Sequence, residues 1–143
     1  MPTHQPLFIK QALIHKMIAH AESLTEECCG FLLGHDGETR TVAEVVPARN
    51  AATLNKEKQF SIEPLEYLKV ENYADENSFE LIGIYHSHPN HPAIPSEHDQ
   101  RAAQPHFSYI ILSLVNSKFH DIKSWRLDSN RNFIEELINQ TIT

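Results

Sequence analysis

An α+β fold with a mixed central sheet flanked by helices is the class this sequence predicts. Three observations carry the reading. Helical and strand-like apolar periods interleave along the chain, but without the strict alternation of a doubly wound fold. A length of 143 residues suits one domain with a real core, so residues 1–143 are expected to form a single unit. Hydrophobic and charged contents of 41% and 22% are ordinary for a globular protein, which sets disorder and fibrous architectures aside.

The elements follow in order. Ile9, Leu13, Ile14, Met17, Ile18 and Ala21 recur at helical spacing and predict an amphipathic helix from about Ile9 to Leu24. Gly30 and Gly34 enclose the apolar run Phe31-Leu32-Leu33, which reads as a buried strand. Polar residues through Gly37 then predict a hairpin turn into a second strand near Thr39 to Pro47. Phe60-Ser61-Ile62 reads as a further short strand. A second helix starts at Ser61 or Glu63, with Pro64 in its first turn, and runs to about Glu76. Leu65, Leu68, Val70, Tyr73 and Ala74 form its apolar face. Phe79 to His88 is predicted as a strand, and Ser96 to Gln104 as a short helix capped by Ser96. Tyr109–Val115 and Ser124–Leu127 read as strands, and Phe133–Ile138 fits either type. No internal repeat, linker or low-complexity tract interrupts the series.

Charge and composition narrow the function classes. A formal net charge of −7 argues against nucleic acid as a main partner, because phosphate binding needs a surplus of Lys and Arg. No apolar run is long enough to span a bilayer, so no membrane partner is expected. The start of the chain lacks the basic residues and apolar core of a signal peptide. Cys28 and Cys29 are adjacent, a poor arrangement for a structural disulfide, which fits a reducing, cytoplasmic setting.

The chemistry concentrates between Tyr85 and Asp99. Side chains alternate faces along a strand, so His86 and His88 point the same way and Ser87 the other. Pro89 closes the strand because it has no N–H for a ladder. With Ser96 as N-cap, Asp99 stands at the third helical position, and the loop from Asn90 to Pro95 folds it back over the strand end. Pro92 and Pro95 lower the entropy of that return. Two imidazoles and a carboxylate are the ligand set of a catalytic zinc, whose fourth position stays open. On the residues alone a second reading stands: His-x-His is a short motif, and Ser-x-x-Asp is a common helix start with no catalytic meaning.

Together with Glu26-Glu27-Cys28-Cys29-Gly30-Phe31-Leu32-Leu33-Gly34, this segment resembles the JAMM (MPN-plus) zinc metallopeptidase family. That pattern has a glutamate shortly before Cys-Gly and an apolar strand. His-Ser-His-Pro follows, then six residues, Ser, two residues and Asp. Glu27, His86, Ser87, His88, Pro89, Ser96 and Asp99 all match, and the wording Pro-Ser-Glu-x-Asp at 95–99 is similar to that of bacterial and archaeal members. The likeness is weakest after Leu127. It implies a cytidine-deaminase-like fold and one Zn²⁺ held by His86, His88 and Asp99. It further implies Glu27 as the general base that passes a proton to the leaving amine, and Ser96 as hydrogen-bond donor to the oxyanion. The implied activity is hydrolysis after the C-terminal glycine of a ubiquitin-like or sulfur-carrier protein, for example in a carrier–cysteine adduct. A Gly-Gly tail would lie extended along a strand edge.

Several residues keep other readings open. Without the resemblance Glu27 is a solvated charge like Glu26; only its distance from Cys29-Gly30 singles it out. His91 extends the pair to His-x-His-x-x-His, which resembles a metallo-β-lactamase ligand run, but Asn90 stands where that run needs Asp. His98 is expected to point away from the metal, at the surface. Cys29 reads as a small buried hydrophobe, Cys28 has no assigned role, and Gly30 is expected to permit close packing. A catalytically silent scaffold of the same fold, or a small zinc hydrolase of a non-protein substrate, are the alternative functions.

Overall fold

The computed structural model describes residues 5–142; residues 1–4 and 143, including part of the segment read as lacking a signal peptide, lie outside it. The described elements run β1 (Leu7–Lys10), α1 (Gln11–Glu22), β2 (Cys29–Asp36), β3 (Arg40–Ala48), α2 (Pro64–Glu76), β4 (Glu80–Pro89), α3 (Glu97–Ala102), β5 (Ser108–Val115), β6 (Lys118–Leu127), β7 (Phe133–Glu136) and β8 (Ile138–Thr141). The class is α+β, with one mixed eight-stranded sheet in the order β7-β6-β5-β4-β2-β3-β1-β8 and helices packed on its faces.

Most elements form where the apolar patterns put them, and the differences have local causes. The first turn of the expected N-terminal helix is instead β1. Leu7 and Ile9 alternate into the core there, and Ile9 satisfies both a strand and a helical period. Helix α1 then buries the stripe Ile14, Met17 and Ala21. Phe60–Ile62 joins no strand; it is part of the loop between β3 and α2. Helix α2 begins with Pro64 in its first turn, as expected, with Glu63 as N-cap. The β5–β6 hairpin turns at Asn116 and Ser117, both with positive φ, so β6 starts well before Ser124.

β4 is the axis of the site. It pairs antiparallel with β2 and parallel with β5, placing His86 opposite Cys29 on one side and Ile111 on the other. A bulge at Ile82, left between the Leu33–Leu81 and Leu32–Gly83 pairs, breaks the alternation and puts Ile82 with Tyr85. Ile82 and Tyr85 join the cluster with Ile14, Met17 and Ile110 beneath α1. Ile84 packs with Phe31, Val70, Ala74 and Tyr109 beneath α2. Gly30 permits the approach of Tyr85, since a Cβ there would lie 2.2 Å from the tyrosine ring.

Gly83 is tighter still, because its added Cβ would lie 2.0 Å from the Ser108 carbonyl oxygen in the neighbouring strand β5. Backbone cannot rotate aside as a side chain can. Gly83→Ala is therefore expected to destabilise the fold by about 3 kcal/mol or more, read from the midpoint of a urea melt.

Strands β7 and β8 tie the sheet together. β7 pairs with β6 at one end of the strand order and β8 with β1 at the other, with only Leu137 between them. The Leu137 carbonyl accepts from the Leu7 N–H at 2.8 Å. The sheet is curled so that its two ends meet. No helix of the described residues is long and apolar enough to cross a membrane.

Candidate metal centre and active site

Four segments converge at the carboxyl end of β4. The first is the strand itself, which aims His86 and His88 to one side. Ser87, facing the other, accepts the Cys28 N–H at 2.8 Å and donates its own N–H to the Cys28 carbonyl at 3.1 Å. That exchange stitches the run before β2 to β4 and sets Glu27 beside the histidines. The Glu27, His86 and His88 ligand atoms all lie within 4.8 Å of one another, and all three residues are buried.

The second segment is the return loop. Asn90 adopts φ 59, the left-handed turn that asparagine tolerates, and Trp125 Nε1 donates to the Ala93 carbonyl at 3.0 Å to hold the loop down. The third is α3, entered through a capping box. Ser96 Oγ accepts the Asp99 N–H at 3.0 Å, and Asp99 Oδ2 accepts the Ser96 N–H at 2.9 Å. Asp99 Oδ2 then sits 3.2 Å from His86 Nε2 and 3.1 Å from His88 Nε2, which are 3.1 Å from each other. The fourth segment is the β3–α2 loop, whose Phe60 ring packs on His86 with centroids 4.6 Å apart.

These contacts test whether a cation fits. His88 Nδ1 lies 2.8 Å from the Pro92 carbonyl, which can only accept, so Nδ1 carries the hydrogen. In the neutral ring Nε2 then offers a lone pair, directed at Asp99 Oδ2 and His86 Nε2. Three nitrogen and oxygen atoms in a triangle of 3.1–3.2 Å edges need a proton or a cation between them. In a tetrahedral zinc site with bonds of about 2.0–2.1 Å the ligand–ligand edge is about 3.3 Å, so the triangle has the size of one face. The Pro92 carbonyl supplies the outer partner that metal-binding imidazoles commonly have. The residues fit a metal.

Without a metal, protons share the triangle. Burial works against the charged forms, yet the two imidazoles hold Asp99 well below the usual carboxylate range. His88 is raised: its burial penalty is outweighed by the Asp99 carboxylate and the Pro92 carbonyl. His86, wholly enclosed, is lowered by desolvation.

Glu27 is different in kind. Its Oε1 is buried with no hydrogen-bond partner, and burial pushes its pKa up to about 8, with Asp99 adding to the rise and His88 opposing it. Glu27 also lies within ligand reach, but Asp99 Oδ2 touches both imidazoles and is fixed by the helix cap, which makes Asp99 the better-held third donor. The structure thus brings Glu27, His86, His88, Ser96 and Asp99 to one place.

Two cavities flank the cluster. One of 260 Å³ is walled by Phe60, Ile62, Tyr67, Ile84 and Tyr109 and reaches His86 and Asp99. The other, of 290 Å³, opens over Glu27, His88 and Ser96 and is bordered by Lys58, His91 and Ile94. His98, expected at the surface, is half-buried and lines the first cavity. Its place follows from α3 packing against the β3–α2 loop, a tertiary contact no local pattern reports. His91 stays exposed on the second cavity's rim. Burial pushes the Cys28 and Cys29 thiols up to about 11 and 12, so neither is a nucleophile near neutral pH.

Comparison with known proteins agrees with the geometry. The family profile described as "Prokaryotic homologs of the JAB domain" matches residues 10–128. A desampylase of Pyrococcus furiosus is 30% identical over 131 residues, covering 92% of this chain and 87% of the relative. A Thermus thermophilus protein named "Probable TtuB-protein conjugate cleaving protease" is 29% identical over 106 residues, or 73% of this chain and 68% of that one. The solution structure of a Desulfitobacterium hafniense protein superposes with a TM-score of 0.84 at 33% identity, covering 96% of this chain and 94% of the other. The chain belongs to the prokaryotic JAB-domain family, the assignment to which its glutamate, paired histidines, serine and aspartate pointed.

Proposed function

We propose that this chain is a zinc-dependent peptidase or isopeptidase that hydrolyses the bond after the C-terminal glycine of a ubiquitin-like or sulfur-carrier protein, with residues 1–143 acting as one catalytic domain. One observation carries the reading: a three-atom ligand face stands beside a buried carboxylate with a free oxygen and a hydroxyl with a free hydrogen. The names of the relatives, a desampylase and a conjugate-cleaving protease, support the substrate class.

His86, His88 and Asp99 would hold the zinc, which supplies a Lewis acid for the scissile carbonyl and lowers the pKa of water to about 7. Glu27 takes the proton of the attacking water. Its buried Oε1, which has no hydrogen-bond partner, leaves it placed to return that proton to a leaving amine. Ser96 spends its lone pair on the Asp99 N–H, so its own hydrogen is free to donate to the developing oxyanion. Ser96→Ala is expected to lower kcat by about 100- to 1000-fold through the lost donor. The lost cap costs about 1 kcal/mol of stability, so a thermal melt and a kinetic assay on the same sample separate the two effects.

The cavity on the Phe60 side suits a Gly-Gly tail, which has no side chains to clash with its aromatic walls. Ser61 gives its N–H to Asn50 Oδ1 and its carbonyl to the Ala51 N–H, and His98 Nε2 lies 3.4 Å from the Phe60 carbonyl, which leaves the Ile62 main chain for pairing with an extended tail. The leaving group then emerges over Lys58, His91 and Ile94. The test is incubation of the zinc-loaded protein with a Gly-Gly carrier fused through its terminal carboxyl to a second protein. Release of the intact carrier is the expected result. Bound zinc without cleavage would point to a non-protein substrate, and failure to bind zinc to a silent scaffold.

A further inference from the structure

We propose that Asn50 is a positioning residue that locks Glu27 to the substrate-facing loop, an inference that rests on the peptidase reading above. Glu27 lies between α1 and β2 and belongs to neither, so no ladder or helix holds its backbone. Both of its main-chain groups end on the β3–α2 loop instead. Its N–H donates to the Lys56 carbonyl at 2.7 Å, and its carbonyl accepts from Asn50 Nδ2 at 3.1 Å.

The same amide organises the rest of that loop. Nδ2 also reaches the carbonyls of Gln59 at 3.1 Å and Lys56 at 3.4 Å, while Oδ1 accepts the N–H groups of Ala52 at 3.0 Å and Ser61 at 3.3 Å. Asn50 is 5% exposed, so these partners replace water rather than compete with it. Two donors and one acceptor at this reach are the inventory of asparagine. Aspartate lacks the donors and glutamine is one methylene too long.

The consequence is mechanical. The loop segment fixed by the Gln59 and Ser61 contacts carries Phe60 onto His86, and its neighbour Lys58 borders the second cavity. One side chain therefore sets the distance between the proton-transfer carboxylate and both walls of the cleft. Displacement of a reacting group by about 1 Å can cost about 100-fold in rate.

The test uses the full chain loaded with zinc. Asn50→Asp keeps the shape and the Oδ1 acceptor but turns an oxygen toward three carbonyls. It is expected to lower kcat by about 10- to 100-fold with KM changed by less than about threefold. Zinc stoichiometry should hold, because His86, His88 and Asp99 lie on β4 and α3. Trypsin cleavage after Lys56 and Lys58 should accelerate by about tenfold as the loop opens. Asn50→Ser carries the same test if the aspartate does not fold. The inference is overturned if a folded variant keeps wild-type kcat and trypsin resistance, or if kcat falls only in proportion to lost zinc. A wild-type protein that cuts no carrier conjugate counts against the peptidase reading, and the trypsin comparison then decides separately whether Asn50 holds the loop.

Discussion

Glu27→Gln is expected to lower the rate of carrier release by about 100- to 10,000-fold while leaving zinc bound and the fold intact. The side chain is 2% exposed and nearly isosteric with glutamine, so packing is preserved. What disappears is the site that accepts and returns a proton. Single-turnover cleavage under saturating enzyme, with zinc measured on the same sample, isolates that step. Unchanged cleavage would remove Glu27 from the mechanism. A second readout needs no substrate. In the metal-free protein Glu27 has a folded pKa of about 8 against an ordinary 4.5, so the protonated folded form is favoured. Its contribution to stability is fully present below pH 4.5 and is lost as pH rises towards 8. Glutamine does not titrate. The stability advantage of metal-free Glu27→Gln over metal-free wild type should therefore grow across that window, as followed by urea melts.

Asp99→Asn should abolish activity by a different route, through loss of the metal. Asparagine can still accept the Ser96 N–H, and Ser96 Oγ can still cap α3, so the helix start survives. The charge that draws the two imidazoles together does not. Changing a group that merely supports a metal ligand costs about 10- to 100-fold in affinity, and removing a ligand's charge should exceed that. Dialysis against a weak chelator followed by zinc determination is the measurement. Retention of one zinc per chain would move the third ligand elsewhere, with Glu27 the nearest alternative.

How much of this was legible in the sequence depends on the range of the interaction. Strand parity put His86 and His88 on one face, and the capping rule placed Ser96 and Asp99 a turn apart, because both follow from backbone geometry over a few residues. Glu27 was legible only through family resemblance, since nothing local separates it from Glu26. Asn50 left no signal at all, because its five contacts are made to main-chain atoms whose identity no side-chain pattern encodes. β1 was hidden by its length of four residues, too short for period two to outweigh the helical spacing that follows. Phe133–Ile138 was ambiguous because it is two strands broken at Leu137, each paired to a different partner.

That break also orders the assembly of the molecule in time. β8 joins β1 across almost the whole chain, so the loop it closes is the longest and entropically the costliest in the fold. As the chain leaves the ribosome, β2, β4 and the metal-binding turn emerge long before the strand that seals the sheet. Until that strand docks, β6 and β1 present unpaired hydrogen-bonding edges, which are templates for aggregation. Adding the 133–142 segment in trans to a truncated chain as it refolds should therefore raise the soluble yield, because the peptide covers both edges at once.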